Sequence, residues 1–142
     1  MPDPRVFLDA NVLFTAAYSP RGLSALLIEL GVAGRATLLT SPLSVIEAQR
    51  NLEAKSPDAL NAFERHLRAI EVVREPAPAE VEQLTPPELS SKDRPLLAAA
   101  IVARATHFVT GDQKDFGRWM TGRARLPLRV LTPRQFLTEV KP

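Results

Sequence analysis

Short apolar runs recur along the chain, separated by longer segments in which apolar residues follow a helical period. Four runs have the length of buried β-strands, namely residues 6–8, 36–40, 107–109 and 130–131. Val72 and Val73 form a further, shorter apolar segment. Such runs predict strands that are buried on both faces.

Helices are predicted between the strands from apolar residues at i, i+3 and i+4 spacing. Serine or threonine followed by proline marks helix starts at Ser41–Pro42, Ser56–Pro57 and Thr132–Pro133. A further helix is expected from Ser91, with Pro95 in its first turn. The predicted buried faces are Leu23, Leu26, Leu27 and Leu30; Val45, Ile46 and Leu52; Leu60, Phe63, Leu67 and Ile70; Leu96, Leu97, Ala100 and Ile101; and Phe136, Leu137 and Val140. A further short helix is expected around Val81 and Leu84.

The alternation of strands and helices predicts an α/β fold with a parallel sheet that is covered by helices on both faces. Folds of this kind bind ligands beyond the carboxyl ends of their strands. The proline-rich segment 76–87 is interpreted as a surface connection, because the acidic residues of interest lie on both sides of it. Residues 1–142 are therefore expected to form a single domain.

Two aspartates directly follow predicted buried strands. Asp9 follows the run at residues 6–8, and Asp112 lies just beyond the run at 107–109. Both are expected at the carboxyl edge of the sheet, and Asp93 and Glu47 lie at helix positions from which they can reach the same edge. Four carboxylates in one cleft suit a hard divalent cation such as Mg²⁺ or Mn²⁺.

Each acid also fits an ordinary structural role. Asp9 and Asp93 are common N-cap residues, and Asp112 is a common turn residue. A helical glutamate such as Glu47 is usually solvated. The convergence of two strand-terminal aspartates favours the metal site, because their mutual repulsion needs a cation.

Composition narrows the chemistry further. The chain of 142 residues has no cysteine and two histidines, which excludes disulfides, thiolate sites and a histidine-rich zinc cluster. No stretch approaches the roughly 20 apolar residues of a membrane span, and the first residues lack the order of a signal peptide. We expect a cytoplasmic location and no membrane partner.

Four acidic motifs follow one another, at residues 7–13 (FLDANVL), 41–47 (SPLSVIE), 92–100 (KDRPLLAAA) and 109–116 (VTGDQKDF). In this order they resemble the PIN domain family, which includes the toxin nucleases of bacterial toxin–antitoxin modules. The resemblance covers the whole chain. It implies a PIN-like three-layer α/β/α fold with a central parallel sheet.

The resemblance also implies a set of site residues. The acids that match the family's catalytic and metal-binding residues are Asp9, Glu47, Asp93 and Asp112. Asn11 and Thr110 match polar residues that orient these acids, and Asp115 is an outer candidate. A helix cap, a sheet-end hydroxyl and a turn residue are the respective ordinary roles of these three.

The reaction implied by the resemblance is hydrolysis of RNA phosphodiester bonds with Mg²⁺ or Mn²⁺, which leaves 5′-phosphate and 3′-hydroxyl ends. A bound ion would polarise the phosphate and activate a water, so no protein nucleophile is required. An antitoxin protein and a second copy of the chain, as a homodimer, are the implied protein partners.

An acid-free stretch between Asp115 and Glu139 contains several arginines. Arg118, Arg123 and Arg125 are candidates for binding RNA phosphates, with Trp119 as a candidate stacking surface. A solvated face or a contact with an acidic antitoxin is the alternative for the arginines, and a core position is the alternative for Trp119.

Two other functions are compatible with some of the same sequence features. A phosphatase of the haloacid-dehalogenase type also starts with a strand and an aspartate, but it normally has a second aspartate where this chain has Asn11. A non-catalytic PIN module that binds RNA or protein would keep the fold without the activity. Nuclease assays with and without manganese separate this second alternative from an enzyme.

Overall fold

Five β-strands form an all-parallel sheet at the centre of the part of the chain that the computed structural model describes, residues 3–121 and 125–140. Their order across the sheet is β3-β2-β1-β4-β5. Val6 of β1 pairs with Leu38 on one side and with His107 on the other. The strands are β1 (Arg5–Leu8), β2 (Thr37–Thr40), β3 (Ile70–Val72), β4 (His107–Val109) and β5 (Arg129–Leu131).

Eight α-helices surround the sheet within the same residues, and a 3-10 helix, Pro57–Ala59, precedes the fourth. In chain order the α-helices are α1 (Ala10–Tyr18), α2 (Leu23–Val32), α3 (Pro42–Lys55), α4 (Leu60–Leu67), α5 (Pro78–Leu84), α6 (Arg94–Val102), α7 (Gln113–Met120) and α8 (Pro133–Glu139). None of these helices combines the length and apolarity that a membrane-spanning helix requires.

The two faces of the sheet build two hydrophobic cores, because successive strand residues point to opposite sides. Val6 and Leu8 pack against α1, α2, α3, α4 and α8, whereas Phe7 packs against α6 and α7. On this second face the rings of Phe7 and Phe108 stack with centroids 5.3 Å apart. The predicted three-layer α/β/α architecture with a central parallel sheet is confirmed.

The chain reverses its direction across the sheet between β1 and β4. From β1 it moves outward to β2 and β3, and then returns across the sheet to β4 on the other side of β1. Such a reversal opens a crevice at the carboxyl ends of the two central strands. Asp9 and Thr110, the residues directly after β1 and β4, lie at this crevice.

Two of the three predicted Ser/Thr–Pro helix starts show the expected cap chemistry, whereas the Ser56 side chain makes no cap hydrogen bond and Pro57 begins a 3-10 helix. The hydroxyl of Ser41 accepts a hydrogen bond from the amide of Ser44 at 3.2 Å, and Pro42 occupies the first turn of α3. Thr132 and Gln135 form a reciprocal capping box at the start of α8. The helix predicted from Ser91 begins at Arg94, because residues 91–93 form a turn.

Several predicted helical faces are wrong. Helix α1 has no counterpart in the prediction, because its residues are apolar almost throughout and show no stripe. In α2 the predicted buried residues Leu23 and Leu26 are exposed, because packing against α1 and α8 turns Ser24 and Ala25 inward. Ile46 is exposed as well, and Ile70 belongs to β3 rather than to a helix.

A glycine near the end of α2 allows that helix to lie close to the sheet. A Cβ atom at Gly31 would lie 2.4 Å from Cδ1 of Leu38 on β2. Leu38 is itself buried in the core on this face. The close approach of α2 to β2 therefore depends on the absence of a side chain at residue 31.

Candidate metal centre

Asp9 is buried at the carboxyl end of β1, with both carboxylate oxygens in hydrogen bonds. Oδ1 accepts from the amide of Ala10 at 2.8 Å, which makes Asp9 the N-cap of α1. Oδ2 accepts from the Thr110 hydroxyl at 2.8 Å and from Nδ2 of Asn11 at 3.2 Å. The end of β1 and the first turn of α1 thus fix this side chain in one orientation.

Thr110 and Asn11 connect the ends of the two central strands. Nδ2 of Asn11 donates to the Thr110 hydroxyl at 3.1 Å, and Oδ1 of Asn11 accepts from the amide of Gly111 at 2.7 Å. The amide of Asp112 donates to the same hydroxyl at 3.0 Å. Because its amide group is engaged on both sides, Asn11 has the contacts of a positioning residue rather than of a proton-transfer group.

Three aspartates from two helix starts form the tightest acidic group. A carboxylate oxygen from each of Asp93, Asp112 and Asp115 lies within 4.8 Å of the others. Asp112 caps α7, and its Oδ1 accepts from the amide of Asp115 at 3.0 Å. Oδ2 of Asp93 accepts from the Ser90 hydroxyl at 2.7 Å. The loop before α6 and the first turn of α7 thus bring these acids together.

Glu47 approaches the acids from α3 and forms an ion pair with a lysine. Nζ of Lys92 lies 3.3 Å from Oε1 of Glu47. The hydrogen bond and charge of Glu47 raise the pKa of Lys92, and the nearby carboxylates of Asp93 and Asp9 raise it further. Lys92 is therefore an exposed cation beside the acidic group.

Burial and the neighbouring carboxylates shift the pKa values of two of these acids. Burial raises the pKa of Asp9 to about 6, the hydrogen bonds from Thr110 and Ala10 lower it, and the charges of Asp93 and Glu47 add to the rise. Burial also raises the pKa of Asp93, with Asp115 and Asp112 acting in the same direction and Ser90 against it. Asp93 thus interacts electrostatically both with Asp9 and with the aspartates of α7.

The donor set fits a hard divalent cation. Asp93, Asp112 and Asp115 offer carboxylate oxygens, which Mg²⁺ and Mn²⁺ prefer, and these three are close enough to share one ion. Among the described residues, Asp9 and Glu47 do not belong to this close group. An open cleft of about 910 Å³ adjoins the acids, and its walls include Glu47, Asp112, Lys92 and Arg134. The cleft therefore has room for a phosphate. Lys92 and Arg134 in its wall are cations that can pair with that phosphate.

The candidate RNA-binding residues are distributed along α7 and beyond it. Arg118 is exposed in the last turn of α7. Arg125 lines a cavity beside Thr106 and Leu128, which precede β4 and β5, so it lies at the opposite end of the sheet from the acids. Arg123 lies outside the described residues. Trp119 of α7 is largely buried in the core, so it offers no stacking platform on an open surface, although it lines this cavity.

Three side chains near the acids were missed or undervalued by the sequence analysis. Asp115 lies with Asp93 and Asp112, and its spacing from Asp112, i+3 in a first turn, could have indicated this. Lys92 lies next to Asp93 in sequence, but its pairing with Glu47 depends on the distance between α3 and α6. Arg134 belongs to the noted arginine stretch, and its position in α8 places it at the cleft.

Comparisons with known proteins agree with this architecture. A family model described as PIN domain matches residues 5–114. The solved structure of VapBC2 from Rickettsia felis bound to a DNA fragment from their promoter is similar, with a TM-score of 0.67 and 18% identity over 90% of this chain and 98% of that chain. PAE2754 from Pyrobaculum aerophilum gives a TM-score of 0.66 and 17% identity over 96% of this chain and 88% of that chain. None of the curated proteins matches in sequence.

Proposed function

The chain belongs to the PIN domain family, as its motifs predicted, and from this premise we propose that it is a Mg²⁺- or Mn²⁺-dependent endoribonuclease. The observation that supports the proposal best is the approach of three aspartate oxygens to within 4.8 Å of one another at the carboxyl edge of the sheet. Acids so close together repel strongly without a cation.

The chain's own residues then have distinct tasks. Asp9, Glu47, Asp93 and Asp112 are the proposed metal ligands and catalytic residues, and the proximity of Asp115 to Asp93 and Asp112 supports a role for it beside them. Thr110 and Asn11 hold the Asp9 carboxylate in a single orientation. When bound, the cation supplies Lewis-acid activation of a water and neutralisation of phosphate charge.

The basic residues position the RNA in this proposal. Lys92 and Arg134 line the cleft beside the acids and are placed to pair with the phosphate that is cleaved. Arg118, Arg123 and Arg125 are proposed to bind phosphates further along the strand, because their stretch of sequence contains no acid to neutralise them.

We also propose that the protein is the toxin component of a toxin–antitoxin module in the cytoplasm. The Rickettsia felis structure is described as VapBC2 with promoter DNA, which supports an antitoxin partner here. A homodimer and a single domain that spans residues 1–142 belong to the same proposal. The exposed Leu23 and Leu26 of α2 provide apolar surface for a protein partner.

The decisive experiment measures cleavage of a single-stranded RNA in manganese, in magnesium and in excess chelator. Asp9→Asn should lower the cleavage rate by more than about 100-fold. Even the loss of a residue that only hydrogen-bonds to a metal ligand lowers metal affinity or activity by roughly 10–100-fold. Asn can still cap α1, so the far-UV circular dichroism should be unchanged. Asp58→Asn, an exposed aspartate at the 3-10 helix, is the matched control and should cleave normally. Full activity in chelator, or in Asp9→Asn, would disprove the proposed mechanism.

A further inference from the structure

A second cavity lies at the end of the sheet that is opposite the acids. Its volume is about 800 Å³. Thr106 and Leu128, which precede β4 and β5, form part of its wall, together with Trp119 and Met120 from the end of α7. None of the proposed metal ligands lines it, so the cavity is separate from the candidate metal centre.

The chemistry of this cavity suits a ligand that is both apolar and anionic. Its wall is apolar where Ile101, Leu126 and Trp119 contribute, and Arg104, Arg125 and Arg129 supply three guanidinium groups. Arg129 is paired with Glu139, whereas neither Arg104 nor Arg125 forms an ion pair within residues 3–121 and 125–140. No acidic residue in that part of the chain lines the cavity. Two of its three cations are thus available to an anion.

Arg104 occupies a backbone conformation that favours glycine. Its φ is 60°, the only positive value among the non-glycine residues described. It ends α6 in a Schellman motif, in which the amide of Ala105 donates to the carbonyl of Ala100 at 2.9 Å and the amide of Arg104 donates to that of Ile101 at 3.0 Å. Glycine or asparagine would adopt this conformation with less strain, so a large cationic side chain here indicates a role for the side chain.

Helix α7 connects the two sites. Its N-cap is Asp112 of the acidic group, and its last residue, Met120, lines the cavity. Eight residues of helix span about 12 Å. Arg118 is exposed between the two ends of the helix. A basic residue therefore lies on the path from the acids to the cavity.

We propose that single-stranded RNA lies along α7, and that this cavity binds one nucleotide of the strand away from the bond that is cleaved. The base contacts the apolar wall beside Trp119, and Arg104 and Arg125 bind the adjoining phosphates. The inference rests on the proposed ribonuclease function and adds a second substrate-binding site to it.

Trp119 provides a direct probe, because it is the single tryptophan of the chain. An oligouridylate of twelve nucleotides is titrated into the protein in excess chelator, and tryptophan emission is recorded. We expect a saturable change in emission that weakens with salt. Inorganic phosphate at the same phosphate concentration and poly-glutamate should leave the emission unchanged, because they lack the base.

Arg104→Gly is the variant of choice, since glycine relieves the backbone strain and the fold should survive. Its dissociation constant for the oligouridylate should rise about fivefold at 0.1 M salt, with the salt slope reduced by about 0.7, the value for one phosphate on a single strand. Arg125→Ala should act similarly. Arg68→Ala removes an exposed arginine at the end of α4, on the other face of the sheet, and should change neither quantity.

The outcomes separate this inference from the proposed function. The cavity proposal is overturned, and the nuclease proposal stands, if RNA is cleaved in manganese but does not change the emission of Trp119. The same conclusion follows if RNA is cleaved and Arg104→Gly binds the oligouridylate as tightly as Arg68→Ala does. An equal response to poly-glutamate or to phosphate also overturns it, in favour of a protein or a simple anion. If the RNA response is present but no cleavage occurs, the cavity binds RNA and the nuclease proposal fails.

Discussion

At the residue scale, Asp112 combines a structural and an electrostatic role. Its Oδ1 caps α7 through the amide of Asp115, while its carboxylate faces the carboxylates of Asp93 and Asp115. Two unit charges 5 Å apart repel by roughly 3 kcal/mol at an effective dielectric of 20, and solvent in an open cleft reduces this further. The cap therefore stabilises the fold while the charge opposes it.

Asp112→Asn should separate these two effects, because asparagine keeps the cap and loses the charge. In chelator the variant should melt a few degrees above wild type, since 1 kcal/mol shifts the melting temperature by roughly 2–8 °C. With manganese at a hundred times its dissociation constant, wild type should gain roughly 2.7 kcal/mol and overtake the variant. Thermal melts in both conditions provide the test. A variant that is less stable in chelator and gains equally from manganese would make Asp112 a turn residue only.

Site residues differ in how far sequence alone could identify them. Asp9 and Asp112 could be predicted because strand ends are visible in the pattern, and parallel strand ends share one edge. Thr110 and Asn11 were identified through the resemblance to the PIN domain family. The neighbours of Lys92 could not be predicted, because they depend on how helices from distant parts of the chain approach each other. Arg104 looks like any surface arginine until its backbone conformation is known.

At the element scale, two helical glycines lie in contrasting surroundings. A Cβ at Gly31 would clash with Leu38, whereas a Cβ at Gly117 in α7 would have no atom of the described residues within 4 Å. Alanine is favoured over glycine by about 1 kcal/mol in either helix. Only the fit of α2 against the sheet distinguishes the two substitutions.

Gly31→Ala should therefore be less stable than Gly117→Ala by roughly 1–3 kcal/mol, the usual range for overpacking a core. Because both variants share the gain in helix propensity, their difference isolates the contact with Leu38. Urea unfolding curves for the two variants and wild type measure it. Equal stabilities would mean that Leu38 or α2 shifts without penalty and that the close approach is not required.

Strands and caps were more predictable than helical faces. Short apolar runs identify buried strands directly, and Ser41 and Thr132 give local start signals that need no tertiary contact. The inward face of α2 is decided by its neighbours α1 and α8, so Leu23 and Leu26 were assigned to the wrong side. The uniformly apolar sequence of α1 gives no period from which a helix can be recognised.

At the scale of the whole molecule, the burial of Asp9 makes stability depend on pH. The pKa of Asp9 is raised to about 6 from 3.8 by burial and by carboxylates from α3 and the start of α6. The folded state holds its proton more tightly than the unfolded state does. Below pH 3.8 Asp9 is protonated in both states, so it does not change the free energy of unfolding. As the pH rises from 3.8 to about 6 the contribution of Asp9 lowers the free energy of unfolding, which is lowest above about pH 6.

In chelator, the free energy of unfolding of wild type should fall relative to that of Asp9→Asn by up to roughly 3 kcal/mol between pH 4 and pH 7. The difference between the two proteins cancels the opposite contributions of His66 and His107, whose pKa values are lowered by burial. Urea unfolding at a series of pH values measures the difference. A constant difference would show that folding does not raise the pKa of Asp9.

The central position of β1 determines how the site responds when the protein opens locally. The amide of Asp9 donates to the carbonyl of Val109 between β1 and β4, two inner strands, whereas that of Thr110 donates to the carbonyl of Leu131 on the edge strand β5. Amides between inner strands exchange hydrogen with solvent mainly through large opening motions, whereas a helix that buries no residue, such as α5, needs a smaller opening. We therefore expect the amide of Asp9 to be among the slowest to exchange. Asp9 can then keep its position while α5 unfolds and refolds many times, whereas Asp93 lies in the connection between β3 and α6 itself.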